Sequence, residues 1–473
     1  MRRWSSAMRL CRMAGAAAVL SLLGASAGIA GGDGGSYNAS AQTRCDGVFS
    51  NGTRIDVSDP KDLADVPGKQ TFCDFHTFGW NQFLWLVESV DGQPRFMGFA
   101  PWYNMLSHDP ALDKPAPYPG GSTALKTALL DKTQAGSGDE LIDVDGQLVR
   151  YDIRYDETAY NFVVRENLYD KSGYDKACDP DDKGVCANNV WLPPNGTDNG
   201  NFMELKTSWR TFDEGECPED EMFCEGDFGL VGMHIVEKTP THGESIWVSM
   251  EHIANVPDCE PGHSLSIAET GPDGMAWNFF DPKTAPDSVM KSKTCNVTGD
   301  SPQCNGDPNK DGKTRQVNVC RTDMLPAGGA SDANCAVVPS SEGDKNANSK
   351  GNVACLNASL RPKLEGPWGN YHLIGTLWTK PGQGPTQDFR IKVFQDEEKG
   401  LSYVDAVGLP HLANATMETY LQVGATGYDP LGNNATQAGC FFCHNLPDKS
   451  YQMDLSHFPT KLDASVENLK SAH

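Results

Sequence analysis

Residues 228–253 read FGLVGMHIVEK-TPTHGE-SIWVSMEHI. Two runs rich in β-branched and aromatic side chains flank the breaker cluster Thr239-Pro240-Thr241-His242-Gly243. That is the pattern of two antiparallel strands joined by a turn. Working outward, YHLIGTLWTK (371–380) reads as a further strand, and so does the alternation Leu148, Tyr151, Ile153, Tyr155 between 145 and 155. Helices are fewer. Phe75, Phe78, Phe83, Leu84 and Val87 recur at near-helical spacing with Trp80 and Trp85 between them, and a helix apolar nearly all round is a buried one. Residues 157–169 suggest a short amphipathic helix. LANATMETYLQ (412–422) suggests another, with Asn414 as N-cap before Met417, Tyr420 and Leu421. Residues 283–366 carry Gly, Ser, Asn, Asp and several cysteines with little periodicity, and read as a disulfide-stapled surface insertion. The fold class is therefore mainly β (α+β): an antiparallel β-rich body with few helices and long stapled loops.

The first residues read as an export leader. Arg2, Arg3, Arg9 and Arg12 precede an apolar stretch, MAGAAAVLSLLG (13–24), and Ala25-Ser26-Ala27 is a cleavage site, with Ala30 a second option. The Arg2-Arg3 pair hints at twin-arginine export, but the residues after it fit poorly, which favours the Sec route. This divides the chain into a signal peptide (1–27), a β-rich body (31–410, including the insertion 283–366) and a C-terminal segment (411–473). No later stretch is apolar for the length of a bilayer span, so no membrane anchor is expected. The chain is acidic, with a formal net charge of −24. Such a surface repels nucleic acid and anionic membrane and suits a basic partner, although solubility alone explains it equally well.

The C-terminal segment holds the most specific chemistry. Cys440-Phe441-Phe442-Cys443-His444 is C-x-x-C-H, the c-type haem attachment pattern. Two thiols three positions apart can each form a thioether to one haem vinyl group, and the histidine that follows lies under the iron as the proximal ligand. Phe441 and Phe442 would help keep water from the haem edge. The other readings of these residues are a structural disulfide beside a stray histidine, or half of a zinc site. The remaining cysteines agree with haem. Of 15 Cys, Cys11 leaves with the leader and Cys440 and Cys443 go to haem. The twelve left form an even set, suited to disulfides in an oxidising compartment. Cys178 with Cys186, Cys217 with Cys224, Cys295 with Cys304 and Cys335 with Cys355 are close enough in sequence to be guessed as pairs. The N-x-S/T sequons, Asn357 and Asn414 among them, would bear glycans in a eukaryotic secretory pathway. C-x-x-C-H behind a Sec-type leader points instead to a bacterial periplasm or secretion beyond it.

A class I cytochrome c begins with this motif and needs a helical domain after it, for which the residues following His444 leave no room. A class II cytochrome is a four-helix bundle, which the upstream sequence is not. The stretches MELKTSWR (203–210), 230–252, 371–379 and 412–445 instead resemble a family of large secreted bacterial cytochrome c family proteins, in blocks over about 75–100 and 200–460. The resemblance implies one covalent haem c on a mainly β body. It brings no established reaction, and the loops of 290–355 have no counterpart in it.

His444 is the expected axial ligand of the haem iron. For the opposite face the candidates are Met233, His234 and His252 on the hairpin and Met453 beyond the motif. His76 and His457 read as packing residues. If no side chain binds, the iron is five-coordinate and open to small molecules. Three functions follow: electron transfer with a redox partner protein, a haem-dependent oxidoreductase or peroxidase-like enzyme acting on a small-molecule substrate, or a binding or sensing module in which haem is structural. Glu204, Lys206 and Arg210 read either as partners for haem propionates or as a solvated strand face. Asp307, Asn309 and Asp311, in DPNKDG, match the start of a calcium loop. Asn318 stands where an EF-hand needs a bidentate glutamate, so the expectation is at most a simple calcium turn.

Overall fold

The structure is a computed structural model. It describes residues 44–46, 71–105, 141–167, 202–213, 226–239, 245–258, 270–282, 319–321, 324–340, 345–379, 406–409 and 412–419, with isolated positions between 108 and 134 and at 169. Its centre is a seven-stranded antiparallel sheet: β1 (Ala100–Pro101), β2 (Arg150–Tyr155), β3 (Phe202–Asp213), β4 (Asp227–Lys238), β5 (Ile246–His252), β6 (Tyr371–Thr379) and β7 (Ala406–Gly408). Spatial order equals chain order, so each strand pairs with its sequence neighbour, the arrangement that costs least in chain crossing. The hairpin of 228–253 forms as its sequence indicates, with Met233 opposite Met250 and His234 opposite Ser249.

The sheet has two chemically different faces. Alternation along the strands puts Leu205, Met233, Ile235, Val248, Met250 and Leu373 on one face, all fully or nearly fully buried. Two helices cover it: α1 (Phe72–Val87) and α4 (Lys345–Leu360). The start of α1 is fixed by a capping box, in which the Thr71 side chain accepts from the Asp74 amide and the Asp74 carboxylate accepts from the Thr71 amide at 2.8 Å. Gly79 lets α1 lie close against the sheet: a Cβ there would meet Thr376 Oγ1 at 2.9 Å and Val248 Cγ1 at 3.0 Å. Phe75 stacks on Trp378 with ring centroids 3.6 Å apart. The expected helix at 157–169 is α2 (Glu157–Arg165), capped by Asp156.

Two expectations are corrected. Within 283–366, the residues from 345 onward are no surface insertion. In α4, Val353, Cys355, Leu356 and Leu360 are 0 % exposed and belong to the main core. The polar residues that made the stretch read as a loop are the ones that fasten it. Asn357 Oδ1 accepts from Trp80 Nε1 (3.2 Å) and the Leu373 amide (3.0 Å), while its Nδ2 donates to the Leu373 carbonyl. Ser349 Oγ lies 2.8 Å from His76 Nε2. The second correction concerns 412–419, which is a turn-rich strap rather than a helix; its donors go to the sheet, as described below.

The guessed bond Cys335–Cys355 is present and ties the short helix α3 (Asp332–Cys335) to α4. Cys45–Cys73, which closes a longer loop, was not foreseen, and Cys320 is also disulfide-bonded. These bonds are those of an oxidising compartment. Among the described residues, no helix is long and apolar enough to cross a membrane.

Candidate functional site

The face of the sheet away from the helices is crossed by residues 412–419, which precede the C-x-x-C-H motif in the sequence. Across its middle run Tyr151, Ser208, Gly232, Ser249, Glu251 and Gly375, on five neighbouring strands from β2 to β6. Leu409 and a strap of residues 412–419 lie on this row. Leu409 and Leu412 occupy the space that a side chain at Gly375 would fill. Asn414 Nδ2 donates to Ser249 Oγ (3.1 Å) and the Met250 carbonyl (3.0 Å). The Ala415 amide donates to Glu251. Thr416 Oγ1 lies 2.7 Å from Ser208 Oγ, and the Thr416 carbonyl accepts from Tyr151 Oη at 2.7 Å. Thr419 ends the strap by donating its amide to Gln134 Oε1 (2.9 Å).

These bonds explain why 412–419 does not continue as helix. Asn414 Oδ1 accepts from the Thr416 amide and hydroxyl, and Thr419 Oγ1 bonds back to the Ala415 carbonyl. Such local side-chain bonds compete with the helical ladder. Gly232 makes the close approach feasible, since a Cβ there would lie 2.5 Å from Thr416 Oγ1, 2.7 Å from Ser208 Oγ and 3.1 Å from Asn414 Oδ1. Asn357 and Asn414, the two sequons among the described residues, are both buried with their amides engaged.

Beside the strap sits a buried ionic cluster. Glu251 is 0 % exposed and takes a two-pronged bond from the Arg321 guanidinium as well as the Ala415 amide. Breaking such a pair strands a buried charge. Asp258, exposed at the edge of the cluster, lies 4.0 Å from Arg321 Nε. His372 is directly opposite Glu251 in the β5–β6 ladder and shares its face. Its Nε2 is buried without a hydrogen-bond partner, an arrangement that costs about 1–3 kcal/mol when nothing else fills the position. Burial, then the charges of Arg321 and Arg361, hold the imidazole well below its ordinary pKa, so it is neutral at pH 7.

The structure sorts the expected ligands. Met233 is fully buried on the helix-covered face, away from the strap. His252 is also turned from the strap: its ring meets Tyr371 edge-on at 5.3 Å and its Nδ1 accepts from the Ala254 amide (3.2 Å). Burial and the charges of Arg361 and Arg210 lower its pKa to about 4. His76 is sealed between α1 and α4, and burial lowers its pKa to about 3 despite the bond to Ser349. His234 is on the strap face, with Nε2 3.3 Å from Glu418 Oε2. Cys440, Cys443, His444 and Met453, with the calcium candidates Asp307, Asn309 and Asp311, lie outside the described residues.

Arg210 is committed to the body and not to a propionate. Its guanidinium reaches Asp143 Oδ2 and Asp145 Oδ2 at 2.7 Å and Asn278 Oδ1 at 2.8 Å, while Asp143 Oδ1 accepts the amides of Asp145 and Gln147. Lys206 places its ammonium 5.3 Å from the Tyr151 ring centroid, within cation–π range. Sequence reasoning missed Glu251, Arg321 and His372. The available signal was alternation: an acid and a histidine at the ends of two otherwise apolar strands that pair.

No family model, curated protein or solved structure matches this chain.

Proposed function

We propose that the protein is a periplasmic monohaem c-type cytochrome that transfers single electrons to or from a redox partner protein. The observation that carries this reading is Cys440-Phe441-Phe442-Cys443-His444, the attachment pattern with its proximal histidine. Cys440 and Cys443 would hold haem c through thioethers and His444 would bind its iron; the group supplies a one-electron couple. The leader at 1–27 and the disulfides of the body support export to a compartment where such attachment occurs.

What this chain's own residues do is position. The strap residues Asn414, Ala415 and Thr416 fix the start of the haem-bearing segment to the rigid centre of the sheet. The resemblance to secreted cytochrome c family proteins supports the same reading. A five-coordinate haem enzyme acting on a small molecule is the competing function.

The test is a visible spectrum of the reduced, purified protein with and without CO, together with haem staining after denaturation. Haem that stays attached in denaturant and a low-spin spectrum unchanged by CO are expected. Rapid CO binding by the native protein would refute the carrier and favour the enzyme. Haem lost on denaturation, or kept in Cys440→Ala/Cys443→Ala, would refute covalent attachment through these thiols.

A further inference from the structure

We infer that residues 44–46 are a cover over the Cys335–Cys355 disulfide, latched in place by Cys45–Cys73, so that a dithiol reaches the covered bond only after the latch has opened. Arg44 pairs through its backbone with Ala336, the residue after Cys335. Its guanidinium spans Asp332 at the start of α3 and both carboxylate oxygens of Asp46, at 3.0 and 2.9 Å. A carboxylate oxygen of Asp46 and the sulfurs of Cys335 and Cys355 all lie within 4.8 Å of one another. Both of these cysteines are 0 % exposed. The side chains of Arg44 and Asp46 are 40 % and 27 % exposed, so the cover is at the surface and the bond beneath it. Cys45 stands between Arg44 and Asp46 and is bonded to Cys73 on α1, which keeps the cover from swinging away. Exchange needs a thiolate to reach a disulfide sulfur; here it meets a chain segment and a carboxylate of its own charge. At the latch, one thiolate of the dithiol bonds to a sulfur of Cys45–Cys73 and displaces the other sulfur as a thiolate. The second thiol of the dithiol then closes it into a disulfide, having passed two electrons and left two cysteine thiols. A second dithiol does the same at Cys335–Cys355. That step removes the covalent tie between α3 and α4 at the point where Asn352 Nδ2 donates to the carbonyls of Asn334 and Ala336, at 2.9 Å each.

The experiment treats the full mature protein with graded dithiothreitol, quenches it with an alkylating reagent and reads each cysteine by mass spectrometry. In wild type, Cys335 and Cys355 should be labelled after Cys45 and Cys73, with a lag. Asp46→Ala keeps both disulfides but removes the carboxylate and its bonds to Arg44. Cys335 and Cys355 should then be labelled about tenfold faster, the equivalent of one or two hydrogen bonds lost from the cover. Cys45→Ser/Cys73→Ser should abolish the lag. Cys320, buried and disulfide-bonded, is the internal control and should keep its wild-type rate in each variant. Labelling of Cys335 and Cys355 before or together with Cys45 and Cys73 in wild type, or at an unchanged rate in Asp46→Ala, overturns the inference. So does an equal acceleration at Cys320, which would mean a general loosening. If the double serine variant does not accumulate, the order in wild type and the rate in Asp46→Ala decide.

Discussion

Gly232→Ala should detach the strap from the sheet. The new Cβ would stand 2.5 Å from Thr416 Oγ1, 2.7 Å from Ser208 Oγ and 3.1 Å from Asn414 Oδ1, where about 3.4 Å is needed. Ser208 is on a central strand and cannot retreat, so the strap must lift. Lifting strains or breaks the bonds of Thr416 to Ser208 and Tyr151, of Asn414 to Ser249 and Met250, and of Ala415 to Glu251. At about 1 kcal/mol for each bond, three or four losses amount to about 3–4 kcal/mol. Alanine returns about 0.5–1 kcal/mol through its smaller entropy loss in a strand. The net expectation is a destabilisation of about 3 kcal/mol, read as a lower urea midpoint by tryptophan fluorescence. It should come with faster limited proteolysis between the sheet and Cys440. Gly121→Ala is the control: nothing lies within 4 Å of a Cβ there, and its midpoint should not fall. A Gly232→Ala protein within about 0.5 kcal/mol of wild type, cleaved no faster, would refute the seating of the strap.

Gly79→Ala should destabilise by about 1–3 kcal/mol through overpacking against Thr376 and Val248, although alanine is the better helix former by about 1 kcal/mol; thermal unfolding checks it, and a stabilised variant would contradict the packing of α1. Glu251→Gln should cost about 3 kcal/mol by leaving Arg321 without its carboxylate, measured by urea unfolding; a neutral result would mean that the pair is solvated. The depressed pKa of His76, about 3 folded against 6.5 ordinarily, means the unfolded chain binds the extra proton. Its contribution is therefore complete above pH 6.5 and is lost as pH falls toward 3, at up to about 1.4 kcal/mol per pH unit. His76→Gln should flatten the urea midpoint against pH over this window, and an unchanged slope would place the sensitivity elsewhere.

Strands whose two faces differ in polarity could be read from the sequence, because alternation survives whatever covers them. Thus 228–253 and 371–380 emerged with nearly correct limits, 145–155 proved to be strand only from Arg150, and α1 announced itself through Phe75, Phe78 and Phe83. What stayed hidden was burial achieved by polar groups. In α4, Ser349, Asn352 and Asn357 look solvent-seeking, yet their amides and hydroxyls satisfy His76, α3 and β6. A hydrophobic pattern cannot register a contact made by hydrogen bonds. The strap was misjudged for the same reason: Asn414 is a cap by composition, but its amide serves a neighbouring strand. The C-x-x-C-H motif is a matter of spacing alone and lies outside the described residues. The imidazole at His372 needed the pairing of two strands distant in sequence, which no local pattern encodes.

The strap also sets an order on maturation. It follows six of the seven strands by a long stretch of chain and the last by only a few residues, so a folding chain can build the sheet before 412–419 arrives. Until then the row from Ser208 to Gly375 has no cover, and Glu251 with Arg321 lacks the amide that completes its bonding. A strap that docks last leaves the body short of full stability until 412–419 is seated, so the sheet and its cover are completed as separate events.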